Sequence, residues 1–133
     1  MTKPSKEFIN RAPVGYSHIA KVNRGTLIYL AGQVSTDPSG KLVGEGNFEA
    51  QVDRVFANVK AALETAGATM ADIVKLNTYV VASVPPDDIP KMRAIRDRYV
   101  NVEKPPASTL VVVSRLARPE WLIEIEAVAA VDE

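Results

Sequence analysis

The run Ile123-Glu124-Ile125-Glu126-Ala127-Val128-Ala129-Ala130-Val131 constrains the fold more than any other stretch of the chain. Its alternation has the period of a β-strand, so Ile123, Ile125, Ala127 and Ala129 share one face while Glu124 and Glu126 share the other. Same-face neighbours on a strand stand roughly 7 Å apart, which sets the two carboxylates side by side. An ionised carboxylate is costly to bury without a partner. One face of this strand therefore belongs to a dry core, and the other needs a cavity, a cation or a subunit interface. Just upstream, Ser108–Ser114 reads as a partner strand, joined to Leu122–Val131 by a short Leu-Ala-Arg-Pro-Glu connection.

The rest of the chain supplies the layer that covers the apolar face. Residues 1–14 carry Pro4 and Pro13 among polar groups and read as an extended, partly mobile lead-in to one domain over 15–133. Ser17–Val22 and Thr26–Ala31 read as strands joined in a hairpin through Asn23-Arg24-Gly25, with Gly25 in the left-handed position. Gly32 then either punctuates a strand end or lets a ligand approach the backbone, and the residues favour punctuation. Asp37-Pro38-Ser39-Gly40 has the residues of a type I turn.

From Asn47 the period changes. Phe48, Val52, Val55, Phe56, Val59, Leu63 and Ala66 recur at helical spacing, which predicts a helix capped by Asn47 and stopped at Gly67. Arg54, Lys60 and Glu64 fall mainly on its outer side. Asp72–Ala82 alternates again, with Val74, Leu76, Thr78 and Val80 opposite Lys75, Asn77 and Tyr79. After Pro85-Pro86, the residues Ile89, Met92, Ile95 or Arg96, and Tyr99 give a second helix a weaker apolar stripe. Its other positions carry Lys91, Arg93, Arg96 and Arg98, with Arg93 and Asp97 spaced for an exposed ion pair. The order β-β-α-β-α-β-β, with two helices on one face of a mixed sheet, predicts an α/β protein of the two-layer sandwich type. A homo-oligomer that packs the polar sheet faces together would account for them.

Composition narrows the chemistry. Lys+Arg and Asp+Glu balance at 16 each and aromatics make up only 6%, which points away from nucleic acid as a partner. Without cysteine, and with His18 as the one histidine, disulfides, thiolate catalysis and the common zinc sites are excluded, and no metal or cofactor is expected. No serine sits in a nucleophile-elbow pattern, and neither GxGxxG nor a P-loop occurs. No stretch approaches a membrane span, and the N-terminus has no apolar signal region, so a cytoplasmic protein is the expectation. What remains is acid–base or binding chemistry from Glu124, Glu126, His18, a nearby cation and backbone amides.

Several short motifs, weak singly, recur here in a telling order: Leu30-Ala31-Gly32-Gln33-Val34, Asn58-Val59-Lys60-Ala61-Ala62-Leu63, Asp72-Ile73-Val74-Lys75, Pro106-Ala107, Ser114-Arg115-Leu116 and Ile123-Glu124-Ile125-Glu126-Ala127. From Tyr16 to Val131 the chain resembles the RidA/YjgF family of small trimeric proteins. The resemblance implies a chorismate-mutase-like α/β sandwich and a homotrimer with a ligand cleft at each subunit interface. It also implies hydrolysis of reactive enamine or imine intermediates to 2-oxo acids and ammonia. Gly32 and Glu124 match the family cleft, Glu124 at the residue that holds or polarises the attacking water. Leu110 occupies a position whose backbone amide can face the ligand.

Three positions depart from the family pattern. An arginine that follows the Pro-Ala pair and forks onto the substrate carboxylate is Ser108 here. A cleft tyrosine falls on His18, with Tyr16 two residues before it, and an asparagine of the second helix falls on Arg93. The resulting expectation is a divergent hydrolase or deaminase of a small imine, enamine or related carbonyl metabolite, with Glu124 catalytic and Gly32, His18, Arg93, Ser108 and Leu110 binding an anionic ligand. The alternative is a non-catalytic, metabolite-binding trimer that has lost the deaminase chemistry. A ribonuclease or translation inhibitor ranks last. Glu124 has the alternative of an ion pair with Arg115, Arg93 that of a solvated helix face, and Glu126 reads as structural, for example pairing across the trimer.

Overall fold

Asn47 begins helix α1 (Phe48–Thr65) as its spacing predicts: the side-chain oxygen accepts a hydrogen bond from the Ala50 amide at 3.0 Å. Gly67 follows the helix with φ +81°, a conformation that suits glycine. The computed structural model describes residues 3–132; Met1, Thr2 and Glu133, which the expected lead-in and domain would include, lie outside the described residues. Around α1 stand strands β1 (Lys6–Arg11), β2 (Ser17–Val22), β3 (Thr26–Gln33), β4 (Ile73–Val81), β5 (Ala107–Val113) and β6 (Ile123–Val131), with a second helix α2 (Ile89–Arg96).

The sheet order is β1-β2-β5-β4-β6-β3, with β4 parallel to β5 and antiparallel to β6. Helix α1 lies over β6 and β3 with α2 beside it, giving the two-layer α/β sandwich. Phe56, Val52, Val55, Val59 and Leu63 of α1 interlock with Leu76 and Val80 of β4 and Ile123 and Ile125 of β6, all buried. The alternation seen in the sequence thus settles which face of β4 and β6 is dry. Gln51 is the polar member of this layer. Its Nε2 donates to the carbonyls of Gly44 and Glu120, and its Oε1 accepts from the Leu122 amide at 2.9 Å. One side chain therefore clasps the loops that precede α1 and β6.

Three expectations need correcting. Residues 6–11, expected within a partly mobile lead-in, are extended but paired: they form edge strand β1, antiparallel to β2. Strands β2 and β3 make no hairpin. The Asn23 side chain is engaged by Pro4 and Glu7, both at 2.8 Å, so the turn residues bind the β1 arm. Gly25, at φ +107°, lies where an added Cβ would come within 2.3 Å of the Val131 carbonyl, and the chain passes there into β3, which pairs with β6. Finally, β5 and β6 are not partners, because β4 lies between them. Short connections suggest neighbours, but here long-range pairing with β4 decides.

The hairpin of β1 and β2 meets the main sheet at a single pair, Ser17 with Ala107. Buried Ser17 secures that junction by donating from Oγ to the Pro105 carbonyl at 2.7 Å. Farther on, Lys6 donates to Asp72 at 3.1 Å and to the Ala130 carbonyl, tying β1 to the starts of β4 and the end of β6. Burial opposes the charge on Asp72, but the Thr69 amide and Lys6 outweigh it and hold the carboxyl below its ordinary value.

Candidate functional site

The expected site residues fall into two groups on opposite faces of the sheet. On the helix side, Ser108 and Leu110 pair with Leu76 and Thr78 of β4, so their side chains turn toward the helical layer. There they line a cavity of about 160 Å³ with Tyr16, Phe56, Thr78 and Arg93. Arg96, one helical turn beyond Arg93, completes this wall. It is the buried arginine of the chain, at 7% exposure, and not a solvated one. Its Nη2 donates to the Val14 carbonyl at 2.9 Å and to Asp97 at 3.0 Å, while Nε donates to Asp97 at 3.1 Å. Asp97 therefore pairs with Arg96 and not with Arg93. Gly15, at φ +84°, makes this possible, since a Cβ there would stand 2.4 Å from Arg96 Nη2.

On the open side, Gly32 and Glu124 meet directly. A Cβ on Gly32 would lie 2.0 Å from Glu124 Oε2, so the absent side chain is the room the carboxylate occupies. Gly32 stands at the end of β3, where the pairing with β6 shifts register between Leu30 and Gln33, and there it also gives Glu124 its room. Asn58 donates from Nδ2 to the carbonyls of Val34 (3.0 Å) and Thr36 (2.9 Å), and Arg54 to Thr36 (3.1 Å), fixing the segment that leaves Gly32 onto α1. Burial, and then repulsion from Glu126, push the Glu124 carboxyl above its ordinary value.

Glu126 finds its partners inside the chain. Oε1 accepts from Tyr79 Oη at 2.6 Å and from Asn77 Nδ2 at 3.2 Å, two partners on the neighbouring strand β4. That hydrogen bond, with burial and the charges of Glu126 and Glu124, raises the Tyr79 phenol. The alternative partner for Glu124 is absent: Arg115 donates instead to the carbonyls of Leu116 (3.0 Å) and Ala117 (2.9 Å). His18 is exposed on β2 and stands edge-on to Tyr16 with ring centroids 5.3 Å apart, outside the cavity wall.

The structure thus gathers Arg93, Ser108 and Leu110 in one place and Gly32 with Glu124 in another, with His18 at neither. Sequence reasoning missed Tyr16, Thr78 and Arg96 as lining residues. The one signal for Arg96 was its place in the apolar stripe between Met92 and Tyr99. Among the described residues no cluster of three His, Cys, Asp or Glu converges as on a metal, and no helix is long and apolar enough to cross a membrane.

Two helices packed on a mixed six-stranded sheet place the chain among the small two-layer α/β proteins. The family model described as Endoribonuclease L-PSP matches residues 9–131. A RutC family protein of Pyrococcus abyssi is 40% identical over 88% of this chain and 87% of its own length. Among solved structures, a Rid family protein of unknown function from Yersinia pestis superposes with a TM-score of 0.83 at 36% identity, over 96% of this chain and all of that one. RidA of an Antarctic Psychrobacter gives a TM-score of 0.70 at 30% identity, covering 91% and 92% of the two chains. The chain belongs to the RidA/YjgF family, and its fold is that of the family.

Proposed function

We propose that this chain is a cytoplasmic homotrimer that hydrolyses a small reactive imine, enamine or related carbonyl metabolite in clefts between its subunits. The contact between Gly32 and Glu124 carries the reading. A carboxylate is placed against bare backbone on the sheet's open face, with no hydrogen-bond donor from the described residues spent on it. Tyr29 and Val111 are exposed on the same side, at 73% and 41%, and a second copy would cover them. Packing there would close the open face over Glu124 and shut its carboxylate away from bulk water.

In the proposed cleft, ionised Glu124 takes a proton from water as the water oxygen bonds to the carbon of the N-protonated imine, giving a neutral carbinolamine. Glu124 returns that proton to the nitrogen, the C–N bond breaks as the carbonyl forms, ammonia leaves, and the hydroxyl proton passes back to Glu124. An enamine enters the same path after tautomerising to the imine. Ser108 favours a second reading, a metabolite-binding trimer without turnover, because a serine hydroxyl cannot replace the charge of the arginine implied by the family resemblance.

The deciding experiment generates imines from several amino acids with an amino-acid oxidase and follows formation of the 2-oxo acid. The unmutated protein should speed the step, and Glu124→Gln should lower the rate about 10²- to 10⁴-fold while leaving the assembly's mass unchanged. Imine decay that ignores the unmutated protein would favour the binding reading. A monomeric mass by light scattering would remove the shared cleft.

A further inference from the structure

We infer that Arg93, reaching in from helix α2, is the carboxylate anchor of the cavity, so that small 2-oxo or 2-imino acids are held from the helix side and not from strand β5. The inference rests on the proposed cleft for the kind of ligand, but it can be read by binding without turnover.

Charge in the cavity wall is lopsided. Its lining contains two arginines, neutral Tyr16, Thr78 and Ser108, and no acid. Arg96 is already compensated by Asp97 and the Val14 carbonyl, so Arg96 and Asp97 together are close to neutral. Arg93 forms no ion pair and donates no hydrogen bond among the described residues, although Asp97 stands four residues away on the same helix. Half-buried, it stands on the wall shared by the 160 Å³ cavity and a more open hollow of about 290 Å³ that also reaches Arg11 and Gly15. A cation partly withdrawn from water and left uncompensated attracts an anion more strongly than one in bulk solvent.

The shape fits the same conclusion. A guanidinium presents two parallel N–H donors, the match for a carboxylate. Ser108 and Thr78 line the same cavity and can donate to the ligand's carbonyl or imine end, while Phe56, Met92 and Leu110 give its hydrocarbon part an apolar lining. A cavity of about 160 Å³ is small beside the roughly 300–1,000 Å³ of drug-sized sites, which suits a ligand of a few carbons. Arg96, fixed to Val14 and Asp97, fills its own corner of the wall and leaves Arg93 as the uncompensated charge on the cavity.

Calorimetric titration with 2-oxobutyrate and with its neutral amide tests the assignment. The unmutated protein should bind the acid at least about tenfold more tightly than the amide. Arg93→Gln should weaken the acid by at least about tenfold and leave the amide unchanged. Arg93→Lys should recover only part of the loss, because an ammonium cannot fork. Adding Ser108→Arg to Arg93→Gln should restore acid binding from the other wall. Binding of the acid within about twofold of the unmutated protein by a folded Arg93→Gln variant would overturn the inference, as would equal binding of acid and amide, or none of either, by the unmutated protein. Should Arg93→Gln fail to fold, Arg93→Lys decides, and acid binding by that variant equal to the unmutated protein's would overturn the inference. Acid binding through Arg93 without imine hydrolysis would leave the anchor standing and remove only the hydrolase reading.

Discussion

Ile125 and Glu124 are consecutive on one strand, yet they belong to two different regimes. Ile125 faces the helices, has no exposure, and is held by Phe56, Val55 and their neighbours. Glu124 faces away, half-buried, against the backbone of Gly32. Strand geometry forces the two faces to alternate, but what each face needs is set by different physics: close packing on one, solvation and charge on the other. The closed face answers its own needs within the chain. On the open face Glu126 is satisfied by Tyr79 and Asn77, while Glu124 is left raised and unbonded.

The sharpest way to break this contrast is to truncate the closed face. Ile125→Ala removes buried methylenes where the core cannot collapse, and should cost about 2–5 kcal/mol in denaturant unfolding. A loss below about 1 kcal/mol would mean that the helix layer is looser than its burial implies. Gly32→Ala tests the other face. With only 2.0 Å between a new Cβ and Glu124 Oε2, the carboxylate must move, and a displacement of that order should lower turnover about a hundredfold with little change in unfolding midpoint.

The smallest effect concerns charge itself. Because the folded state raises the Glu124 carboxyl, it binds the proton more tightly than the unfolded chain does. Its contribution therefore favours folding at acid pH and is lost as pH rises from the ordinary carboxylate value through the raised one. Glu124→Gln removes that loss, so the variant should be more stable at neutral pH, by less than about 1 kcal/mol because solvent screens the group. Thermal unfolding against pH would show it, and a variant less stable at neutral pH would contradict the assigned sign.

What the sequence made legible follows the same division. Helix α1, its Asn47 cap and the dry faces of β4 and β6 could be read because each depends on residues close in the chain. The β1 strand could not, since Lys6–Arg11 has no alternating apolar pattern, and its tie from Lys6 to Asp72 spans 66 positions. A turn at Asn23-Arg24-Gly25 was visible, but whether it closes a hairpin depended on β1 and Val131. Arg96 carried one signal, its place in the helix stripe, but its bond to the Val14 carbonyl, 82 positions away, could not be read. Gly32 and Glu124 were each conspicuous in the sequence, and only the fold shows them touching.

Gln51 has a consequence for how freely this protein can vary. With one amide it gives two hydrogens to the carbonyls of Gly44 and Glu120 and takes one from Leu122. Glutamate would fit the same volume and turn both donations into repulsions; leucine would fill the space and strand all three backbone groups. Hydrogen count, and not size, fixes the residue at that position. Mutational tolerance there should therefore be narrower than at the fully apolar positions around it, where any well-shaped hydrocarbon can serve.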